Sequence, residues 1–349
     1  MRKRSAFFLV FIIVVINVFL VTGCGSKATQ GTQQSNQEPS LIKVRIGWQV
    51  PWAIQGQLVQ ILKHTDILKN NGLQAEFVGK TYGPELNEAA LAGAVDVILT
   101  ADQPAATLFS KDKGWIGIGR LMYNRTLTYV PPKSPVNSIK DLKGKTIGVP
   151  VGAAAERITV EALKKAGLDP KKDVKMINVG IMEQGPLITK GKDVQKWGNI
   201  DALSGFDPTP AIFESKDLVK VLDVGKVCSL VVMNKDYIKK NPEVAEKLMK
   251  AMVEAYDYYR LNVHQANSWF IQESKLADAN DDVCNIAAST EPNLIVKSKD
   301  EIRVWFTDED FKMMQKGANF IESTINKKVN MKDYVSNEYV KFNMKSITK

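Results

Sequence analysis

From residue 43 onward, short apolar runs alternate with amphipathic stretches of helical spacing, and that rhythm leaves few folds open. Residues 43–48 (KVRIGW), 73–78, 95–100 (VDVILT) and 115–122 read as strands, with helices at 54–69, 84–92 and 104–111 between them. Leu58, Ile61, Leu62 and Leu68 share one side of the first helix, and Asn71-Gly72 stops it, because glycine accepts the left-handed cap conformation. Strands separated by helices of this length argue for an α/β fold: a parallel sheet with helices on its faces. A second unit of the same rhythm begins near Thr126. It has strands at 127–130, 146–150, 174–179 and 200–204, and helices at 155–166 (capped at Gly167), 183–190 and 210–214. Runs 219–224 and 229–233 lead out of it. The rest is mostly helical. Asn241-Pro242-Glu243 reads as a helix start, followed by Val244, Leu248, Met252, Ala255 and Tyr259 at helical spacing, and 308–325 reads as a later packing helix. Trp269, Phe270, Trp305 and Phe306 read as core.

The chain opens with Met1-Arg2-Lys3-Arg4, then an apolar run at 6–21 interrupted only by Asn17. Val21-Thr22-Gly23-Cys24 follows and resembles the lipobox of bacterial lipoproteins. Residues 1–23 therefore read as a lipoprotein signal peptide; the run falls short of the roughly 20 residues of a spanning helix. The resemblance implies that Cys24 becomes the lipidated N-terminus and that the protein sits on the outer face of the cell membrane, held stably if two or more acyl chains are attached. Residues 24–40, rich in Gly, Ser, Gln and Asn, read as a solvated tether.

The length left after residue 23 exceeds a single core, so two lobes are expected. The net charge of +9 includes Arg2, Lys3 and Arg4, and the remaining charges are dispersed, which speaks against a nucleic-acid footprint. Cys228 and Cys284 read as two free, inert thiols rather than a bridge.

Several stretches together resemble the solute-binding proteins of ABC importers. Residues 131–149 carry a crossover followed by Asp141-Leu142-Lys143-Gly144-Lys145 before a strand. Further matches are Leu91-Ala92-Gly93-Ala94-Val95-Asp96-Val97, Asp201-Ala202 with Phe206-Asp207-Pro208, and Asn241-Pro242-Glu243. The subgroup resembled is the receptors for nitrate, sulfonates, taurine and thiamine-precursor pyrimidines, over about residues 43–275. The resemblance implies a two-lobed, type II periplasmic-binding-protein-like fold with hinge crossovers and a helical C-terminal part. Lobe I is expected at 41–126 and 228–349, and lobe II at 127–227. It also implies a small-molecule solute, a membrane ABC permease as partner, a monomer, and no cofactor, metal or nucleic acid.

Rival motifs fail on their own terms. Gly144-Lys145-Thr146 ends like a phosphate-binding loop, but Ile139 stands where that loop needs glycine, and the segment opens a strand rather than a helix. No G-x-S-x-G occurs, and Ser204 lies in ALSGF. His64 and His264 sit in polar helical contexts, and no His/Cys cluster has metal-ligand spacing. An enzyme is therefore not expected. A cytosolic pyrimidine-forming enzyme of this fold is opposed by the lipobox, and a sensory or adhesion lipoprotein remains an alternative.

In open α/β sheets, ligands bind beyond the carboxyl ends of the strands. That rule selects Trp48, Gln49 and Trp52 after the first strand, Asp102 and Gln103 after the third, Gly152-Ala153-Ala154 at a helix entry, and Asp207 after Phe206. The tryptophans suit stacking on a planar or cationic group. Gly152-Ala153-Ala154 offers free amides at a helix N-terminus, suited to an oxyanion. Asp102 could cap the helix starting at Pro104 or bind solute, and Asp207 could be a turn former. Sulfonate receptors often carry Ser or Thr where this chain has Ala153, Ala154 and Ala155. Glu156, Asp102 and Asp207 crowd the same region, and a carboxylate facing a bound anion is costly unless Arg125 or Arg157 neutralises it. The expected solute is thus planar or nitrogen-bearing and pyrimidine-like, with an aliphatic sulfonate, taurine or nitrate as the alternative.

Overall fold

The computed structural model describes residues 40–344 except 190 and 277. The expected signal peptide, Cys24 and all of the tether but its last residue lie outside them. Among the described residues no helix is long and apolar enough to cross a membrane.

The first half runs β1 (Ile42–Gln49), α1 (Gln55–His64), α2 (Ile67–Asn70), β2 (Leu73–Lys80), α3 (Gly83–Leu91), β3 (Val97–Ala101), α4 (Asp102–Lys111) and β4 (Trp115–Val130). The middle runs β5 (Thr146–Val149), α5 (Ala154–Lys165), β6 (Lys175–Asn178), α6 (Gln184–Ile188), β7 (Ala202–Phe206), α7 (Thr209–Ser215) and β8 (Lys220–Asn234). Helices follow: α8 (Lys235–Lys240), α9 (Val244–Leu261), α10 (Val263–Ser274), α11 (Asp281–Ala288), α12 (Asp308–Ile325) and α13 (Lys341–Met344). The strands form one mixed sheet in the order β2-β1-β3-β8-β4-β7-β5-β6. Pairing is parallel within β2-β1-β3 and within β7-β5-β6, and antiparallel where β8 and β4 join the two sets.

Most expected elements are present, with four informative differences. The expected strands 115–122 and 127–130 are one strand, β4, and 219–224 with 229–233 are one strand, β8. They pair with each other from Trp115↔Asn234 to Val130↔Lys220. Their polar middles, Asn124 and Arg125 opposite Val227 and Lys226, hide this from an apolar-pattern reading, because the backbone ladder and not burial carries the strand across. The expected helix 54–69 breaks at Thr65, whose extended backbone and hydroxyl bond to Ile61 O end the turn (2.7 Å). Asn241 closes α8, its amide bonding Tyr237 O and Ile238 O, so it does not cap α9, which begins at Val244. Finally, α4 begins at Asp102 rather than Pro104; proline fits this first turn because its missing N–H costs nothing there.

The largest buried cluster joins β1, β3 and β8 to α1 and α9 through Val44, Ile46, Leu58, Ile61, Leu248 and Met252. Phe270 and Phe306 are buried as expected, and Trp269 stacks on His64 and Tyr258 at the surface. Cys228 and Cys284 are free and buried. Burial pushes both thiols up, that of Cys284 to about 12, which makes them inert nucleophiles.

Candidate functional site

Loops that follow strands of the two sheet halves touch: Trp52 meets Phe206, Gly152 lies against Pro84, and Arg157 reaches Asp102. Gln49 ends β1, and its backbone N–H donates to Gln55 Oε1 (2.5 Å), while Gln55 Nε2 donates to Leu99 O (3.1 Å). This brace ties the loop after β1 to β3. The same loop carries Ile54 at φ 68°, ψ −59°, a strained conformation for a β-branched residue. Gln57 Oε1 accepts from its N–H (2.6 Å), and the side chain is fully buried, so packing over-determines the strain.

The two tryptophans separate in role. Trp48 is buried in the main cluster beneath Lys63, whose Nζ is 5.6 Å from the ring centroid. Trp52 instead meets Phe206 of the other half edge-on, with ring centroids 6.0 Å apart. Trp52 Nε1 and Gln49 Nε2 are buried donors without a partner among the described residues. Buried N–H groups are rarely left so.

Asp102 neither caps a helix in the usual sense nor stands free. Its carboxylate accepts from the Gln103 N–H (2.7 Å) and from Arg157 Nη2 (3.0 and 2.8 Å). Burial pushes the Asp102 carboxyl up, and Arg157 pulls against it. Gln103 bonds Glu156 from the other half and leaves its own Oε1 unpartnered. Arg157 lies in the first turn of α5, where the helix dipole disfavours a cation. That placement is the local signal, in sequence, that something else must hold it.

Gly152 has φ +83°, and an added Cβ would lie 2.9 Å from Pro84 Cγ of α3. Glycine is required here both by conformation and by the close approach of the two halves. Ala153 and Ala154 are buried at the start of α5, which no side chain caps. The expected free amides are not free here: the Gly152 N–H donates to Glu156 Oε2 (2.8 Å) and the Ala153 N–H to Pro150 O (3.1 Å), so a carboxylate of the chain itself already occupies this helix entry. Asp207 is held by Arg125, through Nε at 2.6 Å, and Arg125 Nη2 also reaches Glu214 at 2.5 Å. Burial pushes Asp207 up to about 6 even with Arg125 beside it. Among the described residues no three metal-ligating side chains gather in one place.

The cost argument against an anion is weakened for Asp102 and Asp207 and stands for Glu156, whose carboxylate accepts the Gly152 N–H and meets no arginine among the described residues. Asp102 and Asp207 are each paired to an arginine, and the unpaired groups at the meeting of the halves include N–H donors. Sequence reasoning missed that Arg157 and Asp102 join opposite halves, and missed Thr209, whose buried hydroxyl, like that of Thr100 at the end of β3, is unpartnered.

A mixed sheet crossed by a two-stranded ribbon, with strand-end loops from both halves converging, defines the periplasmic-binding-protein fold. The chain belongs to the NMT1/THI5-like family, whose sequence profile matches residues 65–266. It is 24% identical over 340 residues to the "Putative aliphatic sulfonates-binding protein" of Bacillus subtilis (strain 168), covering 95% of each chain. Among solved structures it resembles the alkanesulfonate-binding protein SsuA from Xanthomonas axonopodis pv. citri bound to MOPS, with TM-score 0.68, 19% identity, and coverage of 84% of this chain and 98% of that one. The periplasmic aliphatic sulphonate binding protein SsuA from Escherichia coli is similar at TM-score 0.68 and 18% identity, covering 84% of this chain and 92% of that one.

Proposed function

We propose that this protein is a lipid-anchored extracytoplasmic receptor that binds a small organic sulfonate between its lobes and delivers it to an ABC importer. One observation carries the choice of an anion. The cleft acids Asp102 and Asp207 are already engaged by Arg157 and Arg125, while Gln49 Nε2 and Trp52 Nε1 are buried donors with no partner. The names of the relatives point the same way, and the pyrimidine-like reading loses its support. The ligand contacts are Gln49, Trp52 and Gln103, with Trp48, Asp102, Asp207 and the helix entry Gly152-Ala153-Ala154 shaping the walls.

Lobe I comprises residues 41–126 and 228–349, lobe II 127–227, and Cys24 carries the lipid. A solute touching both lobes binds the closed arrangement better than the open one and shifts the population toward it. The protein performs no chemistry on the solute. The permease is expected to recognise the closed form.

Thermal unfolding with taurine, methanesulfonate, nitrate and pyrimidines tests the solute. At 100 times its Kd a true ligand adds about 2.7 kcal/mol of stability. A response to sulfonates is expected. A response to pyrimidines alone would restore the nitrogen-bearing reading. Labelled palmitate incorporated by the native chain and lost in Cys24→Ser would support the anchor, and equal labelling would remove it.

A further inference from the structure

A cavity of about 490 Å³ opens between the 3₁₀ turn Ile181–Glu183 that follows β6, the helix α7, and the residues just after α10. Its size lies within the usual range for small-molecule sites. Ile181, Met182, Ile212, Phe213, Leu218 and Leu276 line it, so its walls are mainly hydrocarbon. One polar group stands out: Thr209 is 4% exposed, and its hydroxyl has no partner among the described residues. The ion pair of Lys216 and Asp278 flanks the cavity.

This cavity is linked to the candidate site through one side chain. Ile181 lines it and also belongs to the buried cluster that holds Trp52, Phe206, Ala153 and Ala154. Thr209 stands two positions after Asp207, as the first residue of α7. Met182 and Val151 are 42% and 47% exposed, and both stand on loops that follow parallel strands of this half of the sheet. Met182 lines the cavity, and an exposed apolar group on such a wall marks a surface that something apolar covers.

We propose that this cavity is a tail subsite: the sulfonate head binds at the cleft donors, and a hydrocarbon body extends along Ile181 into it. The solute class is then an amphiphilic sulfonate, with a longer alkyl or an aryl body and an acceptor or hydroxyl within reach of Thr209. A solute as small and polar as taurine would leave these walls uncovered. The inference rests on the sulfonate reading above.

Titration calorimetry of the full chain with n-alkanesulfonates of increasing length tests it. Affinity should rise about three- to fourfold for each methylene that enters the cavity, then level off when it is full. Met182→Glu and Leu276→Asp should each collapse the ratio of octanesulfonate to methanesulfonate affinity. Equal affinities along the series would overturn the subsite, as would a length dependence that survives both substitutions. If no sulfonate of any length binds, the function reading falls by itself. The cavity is then probed with 1-octanol by methyl NMR: shifts at Ile212 and Met182 support a hydrocarbon site, and unmoved signals sink it.

Discussion

Arg157 Nη2 lies 2.8 Å from Asp102 Oδ2 and 3.0 Å from Oδ1, and the two side chains are 1% and 0% exposed. The pair joins the first turn of α5 to the first turn of α4, so it forms only when the two sheet halves meet. Breaking a buried pair by removing one member costs about 3–5 kcal/mol, because the other charge stays buried alone. Replacing both by apolar groups of similar volume is often neutral or stabilising.

Arg157→Met is therefore expected to weaken solute binding by roughly 100-fold or more, since the penalty falls on closure. The double substitution Asp102→Leu with Arg157→Met should recover most of that loss. Calorimetry reads the affinities and small-angle scattering the extent of closure. A double variant as weak as the single would show that the pair contacts the solute instead of setting the closing energy.

Trp52→Phe keeps the edge contact with Phe206 but deletes the unpartnered indole N–H. A hydrogen bond to a charged acceptor contributes about 1.5–3 kcal/mol. Sulfonate affinity should fall by about 10- to 100-fold while urea stability without solute changes little. Unchanged affinity would remove Trp52 Nε1 from the head-group site.

Asp207, pushed up to about 6 by burial, holds its proton more tightly in the folded chain than in the unfolded one. Its contribution to stability is full below the ordinary carboxylate range and is lost as pH rises from about 4 through about 6, by up to about 3 kcal/mol. Denaturant unfolding between pH 4 and 7 should show this slope, and Asp207→Asn should flatten it. An equal slope in the variant would assign the titration to other groups.

Gly225 lies on the crossover of β8, where an added Cβ would sit 2.4 Å from Ile158 Cγ2 of α5. Gly225→Val overfills that contact and should cost about 1–3 kcal/mol in stability. Wild-type stability in the variant would mean that α5 and the crossover separate freely.

Much of the fold was legible because burial wrote it. Strands buried on both faces, such as 95–100, and helices with one apolar side, such as 308–325, announce themselves locally. The continuity of β4 and β8 was not legible, because Asn124, Arg125 and Lys226 belong to a ladder whose partner lies about 100 residues away. The strand-end rule picks out loops that the structure brings into contact, as Trp52 with Phe206, but it says nothing of their electrostatics. Asp102 and Arg157 are 55 residues apart, and no local pattern couples them. Counting the acids without their arginines placed the planar, nitrogen-bearing solute ahead of the sulfonate, the alternative that the names of the relatives favour.

The paired crossovers have a mechanical consequence. Two separate loops would let the lobes swivel, slide and shear independently. Two strands laced together from Trp115↔Asn234 to Val130↔Lys220 behave as a leaf spring, compliant across its flat face and stiff along its edges. The opening proposed above would then follow one arc, and each closing stroke would return Trp52 to Phe206 and Arg157 to Asp102 in the same register.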